Sequence, residues 1–127
     1  MDKMPKIAES EWRVMKVLWE RSPQTANEVV DRLDGQVAWS PRTIKTLLNR
    51  LVKKKALDFT KSGRSYRYFP LVEEVDCVRA ERSSFLRRVY GGALTPMLAQ
   101  FIEEEDLSKS DIEELRSILD RKGRKDS

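Results

Sequence analysis

The sequence predicts a mostly α-helical protein that also contains one small β-hairpin. Apolar side chains recur at helical spacing in six segments of the 127-residue chain. Helix-start signals, of which Ser40-Pro41 is the clearest, precede several of these segments. One stretch, "LDFTKSGRSYRYF", instead places strand-favouring residues on both sides of a glycine. These observations favour a helical chain that is interrupted once by a pair of antiparallel strands.

The element boundaries follow from the apolar pattern and from the residues that start or stop each segment. Helices are expected over about residues 9–20, 26–33, from Pro41 to the lysine run at 53–55, 73–90, 96–104 and 109–122. Strands are expected at about 57–61 and 65–69, joined by a two-residue loop at Ser62-Gly63, with a very short strand at 37–39. The C-terminal "RKGRKDS" is expected to be a frayed tail.

Capping residues support two of the helix starts and weaken a third. Thr25 and Glu28 form a capping box for the second helix, and Ser108 and Asp111 form a similar pair before the last helix. Ala8 stands at the cap position of the first helix, where Ser or Thr would be better. We expect this alanine to cost ~1 kcal/mol at most, with no change of function.

The third helix is amphipathic. Its apolar residues follow the spacing i, i+3, i+4 and i+7 and share one face: Ile44, Leu47, Leu48 and Leu51. The opposite face carries Arg42, Lys45, Thr46, Asn49 and Lys53. Because the apolar face packs inward, the polar face must be in contact with water.

The order of elements is that of a winged helix-turn-helix followed by further helices. We therefore expect a winged-helix domain over residues 1–71 and a helical dimerisation domain over residues 72–127. Each helix of the second domain has one apolar stripe, and three such helices bury little surface alone. A second copy in a symmetric dimer would cover these stripes. The residues expected at the dimer interface are Phe85, Leu86, Val89, Met97, Leu98, Phe101, Ile102, Ile112, Leu115, Ile118 and Leu119.

The composition excludes several kinds of chemistry. The chain has no histidine, which removes Ser-His-Asp and Cys-His mechanisms and any histidine-ligated metal site. Its single cysteine, Cys77, cannot form an intramolecular disulfide, and we expect it to be a small buried side chain. No apolar run approaches the ~18–20 residues of a membrane span, and no secretion signal is evident, so a cytoplasmic protein is expected. We predict no cofactor, no metal and no catalytic residue.

The net charge of +4 conceals an asymmetry along the chain. Residues 1–70 hold 15 Lys/Arg against 8 Asp/Glu, whereas residues 71–127 hold 10 against 13. Within the first part, residues 40–70 carry nine bases and a single acid, Asp58. A basic block next to an acidic block indicates that one surface meets a polyanion and the other does not.

The basic block coincides with the elements that contact DNA in this fold. The last helix of a helix-turn-helix enters the major groove, with its N-terminal residues at the base edges. The candidate base-contacting residues are Arg42, Thr43, Lys45, Thr46 and Asn49. The candidate phosphate-contacting residues are Ser40 at the helix start, Arg50, Lys53, Lys54 and Lys55 further along, and Lys61 and Arg64 at the wing tip. Double-stranded DNA is therefore the expected partner.

Other interpretations stay open at this point. A helix with one charged face is often only a solvated face, and a winged helix can bind an acidic protein instead of a specific DNA site. Single-strand binding has little support, because the three tryptophans are expected in the core and Tyr66 and Tyr68 on the packed side of the hairpin. An enzyme is disfavoured by the missing histidine and by the absence of a paired-carboxylate or Gly-rich phosphate motif.

Four segments resemble the penicillinase-repressor family of the BlaI/MecI/CopY type, over nearly the whole chain. They are "SEWRVMKVLW" (Ser10–Trp19), "WSPRTIKTLLNRL" (Trp39–Leu51), "RSYRYFPLVEEVD" (Arg64–Asp76) and "FIEEEDLSKSDIEEL" (Phe101–Leu115). The W-S-P-[KR]-T-[IV]-x-T block is the most specific, since generic winged helices do not share it. The resemblance implies a homodimeric bacterial repressor of a dyad operator with TACA/TGTA-like half-sites. It leaves open whether the regulon concerns penicillin resistance or other genes.

The resemblance also implies how repression ends. In the β-lactam branch of the family, a membrane sensor-protease signals the antibiotic, and the repressor is cut at an Asn-Phe bond in its C-terminal helices. The aligned pair here is Gln100-Phe101, which departs from that pattern in the residue before the bond. In the copper branch, Cys-x-Cys motifs bind the metal. This chain has only Cys77, so copper sensing of that kind is not expected.

Overall fold

A computed structural model describes residues 4–126 and contains, within them, six helices and one three-stranded sheet. The elements are α1 (Glu9–Glu20), β1 (Gln24–Thr25), α2 (Ala26–Leu33), α3 (Pro41–Lys53), β2 (Leu57–Ser62), β3 (Ser65–Pro70), α4 (Glu74–Tyr90), α5 (Leu94–Glu104) and α6 (Lys109–Asp126). The mostly α-helical winged-helix class that the sequence predicts is confirmed. The chain forms two compact units, the first ending at Glu81 and the second beginning at Arg82.

The boundary between the units lies within α4, later in the chain than the expected boundary after residue 71. The segment after β3 is bound to the first unit, because the indole N–H of Trp19 donates to the carbonyl oxygen of Val72 at 2.9 Å. Cys77 is buried in the core of the same unit, as expected, and burial raises the pKa of its thiol. These contacts explain why the beginning of α4 belongs to the winged helix.

The first unit has a single apolar core, built from the inward faces of the first three helices and the base of the hairpin. Its fully buried members include Met15, Leu18, Leu33, Ile44, Leu48, Leu51 and Leu57. The three tryptophans are half-buried and pack against this core, which agrees with their expected role. Because the apolar residues of α3 are buried in this core, the opposite face of the helix is exposed.

The sheet has a third strand, as predicted, but this strand is β1 and not residues 37–39. The strand order is β1-β3-β2, antiparallel throughout, with Gln24 opposite Tyr68. The expected strand at 37–39 is wrong, because Val37 forms only an isolated bridge with Asp34. Two residues cannot display an alternating pattern, so the β1 strand is defined by its pairing with β3 and not by its local sequence.

The hairpin turn is also displaced by one residue from the prediction. Ser62 pairs with Ser65, which leaves Gly63-Arg64 as the two-residue loop instead of Ser62-Gly63. Gly63 has φ of +62°, and a glycine with positive φ at the first central position is the requirement of a type II′ hairpin turn. The turn geometry, more than the composition of the loop, decides the register of the wing.

A Schellman motif ends α3 and directs the chain into the wing. The backbone N–H of Ala56 donates to the carbonyl oxygen of Leu51, and that of Lys55 to Val52, both at 3.0 Å. Lys55 occupies the left-handed position of this motif, with φ of +65°, where glycine is the usual residue. Ala56 and Leu51 are both buried, so the motif has its apolar contact as well.

Replacing Lys55 with glycine is expected to stabilise the protein. A side chain in the left-handed region costs about 1–2 kcal/mol, which exceeds the ~0.5–1 kcal/mol that glycine costs through its freedom in the unfolded chain. The free energy of unfolding of Lys55→Gly, measured by urea denaturation, should rise by about 0.5–1 kcal/mol. Lys55→Ala is the control, since it keeps the strained Cβ; an equal gain in that variant would contradict the explanation.

Both pairs of capping residues that the sequence predicts are present in the structure. Thr25 and Glu28 exchange the two hydrogen bonds of a capping box, at 3.0 and 3.2 Å, and Ser108 and Asp111 do the same at 3.2 and 3.0 Å. Ala8 caps α1 without a side-chain acceptor, but the carboxylate of Glu11 accepts from its backbone N–H at 2.8 Å. The weak cap is thus partly compensated from within the helix.

The second unit consists of the rest of α4, with α5 and α6. The α6 helix reaches Asp126, so the frayed tail expected from "RKGRKDS" is wrong as far as the described residues extend. Arginine and lysine are good helix formers, and the Arg124 guanidinium donates to the carbonyl oxygen of Asp120 at 3.4 Å. No helix between residues 4 and 126 is both long and apolar enough to cross a membrane.

Candidate nucleic-acid interface

The α3 helix presents one continuous polar face to solvent. Its start is fixed by the Ser40 hydroxyl, which accepts from the backbone N–H of Thr43 at 3.1 Å, and by Pro41 at the first helical position. Since its apolar residues are buried, all five candidate base-contacting residues are exposed: Arg42, Thr43, Lys45, Thr46 and Asn49. Arg50 and Lys53 are exposed further along the same helix.

The hydroxyl groups on this face are already engaged within the helix. Ser40 Oγ lies 3.0 Å from Thr43 Oγ1, and Thr46 Oγ1 donates to the carbonyl oxygen of Arg42 at 3.0 Å. Thr46 therefore offers its methyl group and its free lone pairs outward, but not its proton. This restricts the contact it can make to a base methyl group or to a hydrogen-bond donor.

A surface groove of about 330 Å³ joins α3 to the wing and to the beginning of α2. We call it the inter-element groove. It brings together three of the predicted DNA contacts, Lys45, Asn49 and Arg64, with residues that were not predicted to contact DNA: Thr25, Ala26, Asn27, Ser65, Tyr66 and Tyr68. Among residues 4–126, two cations and no carboxylate line the groove. An anion that enters it would meet only positive charge and neutral hydrogen-bonding groups.

Tyr66 departs from the prediction that it would lie on the packed side of the hairpin. Its side chain is 44% exposed, whereas Tyr68, two residues later, is buried as expected. The two tyrosines share a face of β3, but Tyr66 lies nearer the wing tip, beyond the edge of the core. Alternation in a strand predicts the face of a side chain and cannot predict how far along the strand the core extends.

Glu28, which follows Asn27 in α2, does not line the groove and has partners of its own. The carboxylate of Glu28 caps α2, and the backbone N–H of Thr25 that it accepts lowers the pKa of Glu28. Arg67 on the far face of β3 lies 3.9 Å from the same carboxylate. Burial raises the pKa of Tyr68, so its hydroxyl stays protonated at neutral pH.

Lys54 has a different place from the one expected of a phosphate-contacting residue. Its ammonium group donates to the carboxylate of Glu11 and to the carbonyl oxygen of Lys6, the latter at 2.9 Å. Glu11 is only 1% exposed. Lys54 therefore neutralises a buried acid, and its ammonium group is already engaged within the first unit. A lysine in a basic run cannot be distinguished by sequence from one that folds back onto a distant acid.

The wing carries the remaining predicted cations. Arg64 is at the hairpin turn and lines the inter-element groove. Lys61 is exposed, pairs across the hairpin with Tyr66, and holds its ammonium nitrogen 5.9 Å from the centroid of that ring. Both cations are accessible to a polyanion lying against α3 and the wing.

The residues predicted for dimerisation form an uncovered apolar surface in the second unit. Phe85, Leu86 and Met97 are half-buried, and the others are exposed, from 36% at Leu115 to 63% at Leu119. Phe85 stacks on Phe101 with ring centroids 6.5 Å apart. Gln100, beside Phe101 within α5, accepts a hydrogen bond from the hydroxyl of Tyr90 at 2.7 Å. Large contiguous apolar patches are typical of interaction sites.

Within residues 4–126 we find no group of three or more His, Cys, Asp or Glu side chains arranged to hold a metal ion.

The helix order, the hairpin wing and the basic face of α3 together define a winged-helix protein with a surface suited to a polyanion. The family profile described as penicillinase repressor matches residues 7–121. The chain belongs to this family, and the resemblance inferred from its four motifs is confirmed.

Individual relatives agree with the family assignment. The chain is 44% identical over 120 residues to the penicillinase repressor of Bacillus licheniformis, covering 94% of each. It is 39% identical over 121 residues to the methicillin resistance regulatory protein MecI of Staphylococcus aureus (strain N315), covering 95% of this chain and 98% of MecI.

Two solved structures of a relative match part of the chain. The solution structure of the DNA binding domain of the repressor BlaI is 46% identical, covers 60% of this chain and 93% of that domain, and superposes with a TM-score of 0.54. Monomeric Bacillus licheniformis BlaI in complex with the blaP half-operator has the same identity and coverage and a TM-score of 0.52.

Proposed function

We propose that this protein is a homodimeric, sequence-specific DNA-binding transcriptional repressor that acts in the cytoplasm on an operon of the penicillin-resistance type. The dimer would occupy a palindromic operator and block the promoter. The observation that carries the proposal is the exposed face of α3, which continues into a groove where the described residues contribute two cations and no carboxylate. The BlaI relative bound to its half-operator supports DNA as the ligand.

Two properties of the surface favour duplex DNA over an acidic protein. The groove and the polar face of α3 combine hydrogen-bonding side chains for base edges with cations for phosphates. Their residue types, arginine, lysine, asparagine and threonine, are those that read bases in a major groove. A surface that needed only to attract an acidic protein would not require this mixture.

The decisive experiment is the selection of bound duplexes from a random-sequence library by the full-length protein. We expect recovery of a single palindromic sequence, with affinity for it at least ~10³-fold above that for random duplex. The logarithm of the binding constant should fall linearly with the logarithm of salt concentration, with a slope that counts the phosphate contacts. Absence of duplex binding at low salt would exclude the repressor and favour a protein-binding module.

The dimer is proposed from the uncovered apolar surface of the second unit. Replacing Leu115 with aspartate should convert the protein to a monomer, because a buried unpaired charge costs several kcal/mol at an apolar interface. Sedimentation equilibrium measures the mass directly. Glu113→Asp, a conservative change on the same helix away from the stripe, is the control. An unchanged dimer in Leu115→Asp would show that the interface lies elsewhere.

Release of the operator by proteolysis at Gln100-Phe101 is part of the proposal. The bond lies inside α5, and the hydrogen bond from Tyr90 further restrains Gln100. A protease needs an extended substrate, so the helix must open locally before it is cut. Mass spectrometry of the protein recovered from antibiotic-treated cells identifies the cut. Intact chain under conditions that induce the target operon would exclude this mechanism.

A further inference from the structure

We propose that the inter-element groove holds one backbone phosphate of the DNA, and that Asn27 and Tyr66 contact this phosphate together with Lys45 and Arg64. The inference rests on the proposed function and deepens it, because it assigns two further binding residues and a single phosphate. Both residues come from elements outside α3, and neither follows from the charge pattern of the sequence.

The groove has the chemistry of a phosphate site. Lys45 from α3 and Arg64 from the wing supply two charge-assisted donors, and no carboxylate of the described residues lines the groove to oppose an anion. The groove has a volume of about 330 Å³. Most of the lining side chains are exposed, so the groove is a surface channel and not an enclosed pocket for a small molecule.

The ring of Tyr66 is held in place before any ligand arrives. The Phe59 ring packs against it at an interplanar angle of 86°, with ring centroids 4.9 Å apart, and the ammonium nitrogen of Lys61 lies 5.9 Å from its centroid. A ring already held by such contacts loses little conformational entropy when its hydroxyl binds an anion. This contact explains why an aromatic side chain with a polar tip remains 44% exposed on the wing.

Asn27 lines the groove from the beginning of α2. It is exposed, it occupies the second position of α2 after the Thr25 cap, and its side chain makes no hydrogen bond to the rest of the described chain. Its amide can therefore donate to an oxygen atom in the groove. Residues from α2, α3 and the wing would then contact the same phosphate. Such a shared contact fixes how the winged helix is oriented on the duplex.

The first test couples each residue to one phosphate. The duplex recovered by selection is synthesised with a neutral methylphosphonate at each position in turn, and affinity is measured for the wild type, Tyr66→Phe and Asn27→Ala. We expect each variant to bind the unmodified duplex about tenfold more weakly than the wild type. When the methylphosphonate stands at the phosphate that the groove binds, one in each half-site, the variants should bind as well as the wild type does. Losses that persist equally at every position would overturn the proposal.

The second test separates binding from folding. Asn27→Asp places a carboxylate in the groove and, at the same time, in the first turn of α2, where a negative charge stabilises a helix. Duplex affinity should fall at least tenfold while the melting temperature stays equal or rises. Gln36→Glu, the same amide-to-carboxylate change outside the groove, should alter affinity less than threefold, an effect typical of remote charges. Equal losses in both variants would contradict the site.

The two proposals can fail separately. If the wild type binds no duplex, the proposed function is wrong. If the wild type binds a palindrome while Tyr66→Phe, Asn27→Ala and Asn27→Asp bind it as well as the wild type does, the repressor stands and the phosphate site is wrong. Tyr66→Phe keeps the ring contact with Phe59, and its melting temperature verifies that the wing remains folded.

Discussion

Replacing Lys54 with methionine is expected to lower the free energy of unfolding by about 2–3 kcal/mol. Glu11 is 1% exposed, and in this variant its carboxylate loses the one cationic partner that it has among the described residues. Removing one member of a buried ion pair typically costs 3–5 kcal/mol, and the lower value reflects the 36% exposure of the Lys54 side chain. Urea denaturation monitored by tryptophan fluorescence measures the change.

Two further variants determine whether the ion pair is the cause. Lys53→Met removes an exposed lysine next to Lys54 and should change stability by less than ~0.5 kcal/mol. The double variant Glu11→Leu/Lys54→Met replaces both charges by apolar groups and should recover most of the loss. If the single Lys54 variant is as stable as the wild type, the contact with Glu11 does not stabilise the fold.

The same Lys54 variant separates a structural role from DNA contact. A lysine that neutralises a phosphate contributes about 0.9 units to the salt slope of duplex binding. Lys54→Met should leave that slope unchanged, because its ammonium group is bound to Glu11 and Lys6. A slope that falls by a full unit would return Lys54 to the DNA-contacting residues.

Replacing Lys45 with glutamate is expected to weaken duplex binding about hundredfold or more. Lys45 is exposed in the middle of α3 and lines the inter-element groove, so the substitution removes a cation and places an anion where the DNA would lie. Loss of one charge-assisted contact accounts for ~10-fold, and repulsion by the new carboxylate for at least as much again. Fluorescence anisotropy with the selected duplex measures the affinity.

The control for this variant is Lys109→Glu, which makes the same charge change on α6 in the second unit. It lowers the net charge equally and should weaken binding only a few-fold, through the long-range field. The stability of Lys45→Glu should remain within ~0.5 kcal/mol of the wild type, since the residue is exposed. Equal losses of affinity in both variants would mean that net charge, not the α3 surface, governs binding.

The sequence was most informative where physical signals are local. The leucine spacing of α3 and the Ser40-Pro41 start give both the boundaries of that helix and its exposed face. The Thr25–Glu28 and Ser108–Asp111 capping boxes are visible because both partners lie within one helical turn. The predicted cations at the wing tip are accessible for the same reason, since a hairpin turn must be in water.

The sequence was least informative where a structure depends on distant partners. The β1 strand has only two residues and exists through its pairing with β3. The boundary between the two compact units lies within α4, because Trp19 and the core bind the segment that follows β3. The basic run at 53–55 contains three identical residues with different environments, and only the folded chain distinguishes them.

Amphipathic periodicity, capping and charge pattern thus established the helices of the winged-helix unit, the exposed face of α3 and a polyanion as its expected ligand. Tertiary structure decided which side chains from separate elements share one surface. It placed Asn27 and Tyr66 beside Lys45 and Arg64, and it directed Lys54 to Glu11. The physical reason is range: helix periodicity acts over a few residues, whereas a groove or a buried ion pair joins residues that only the packing of the core brings together.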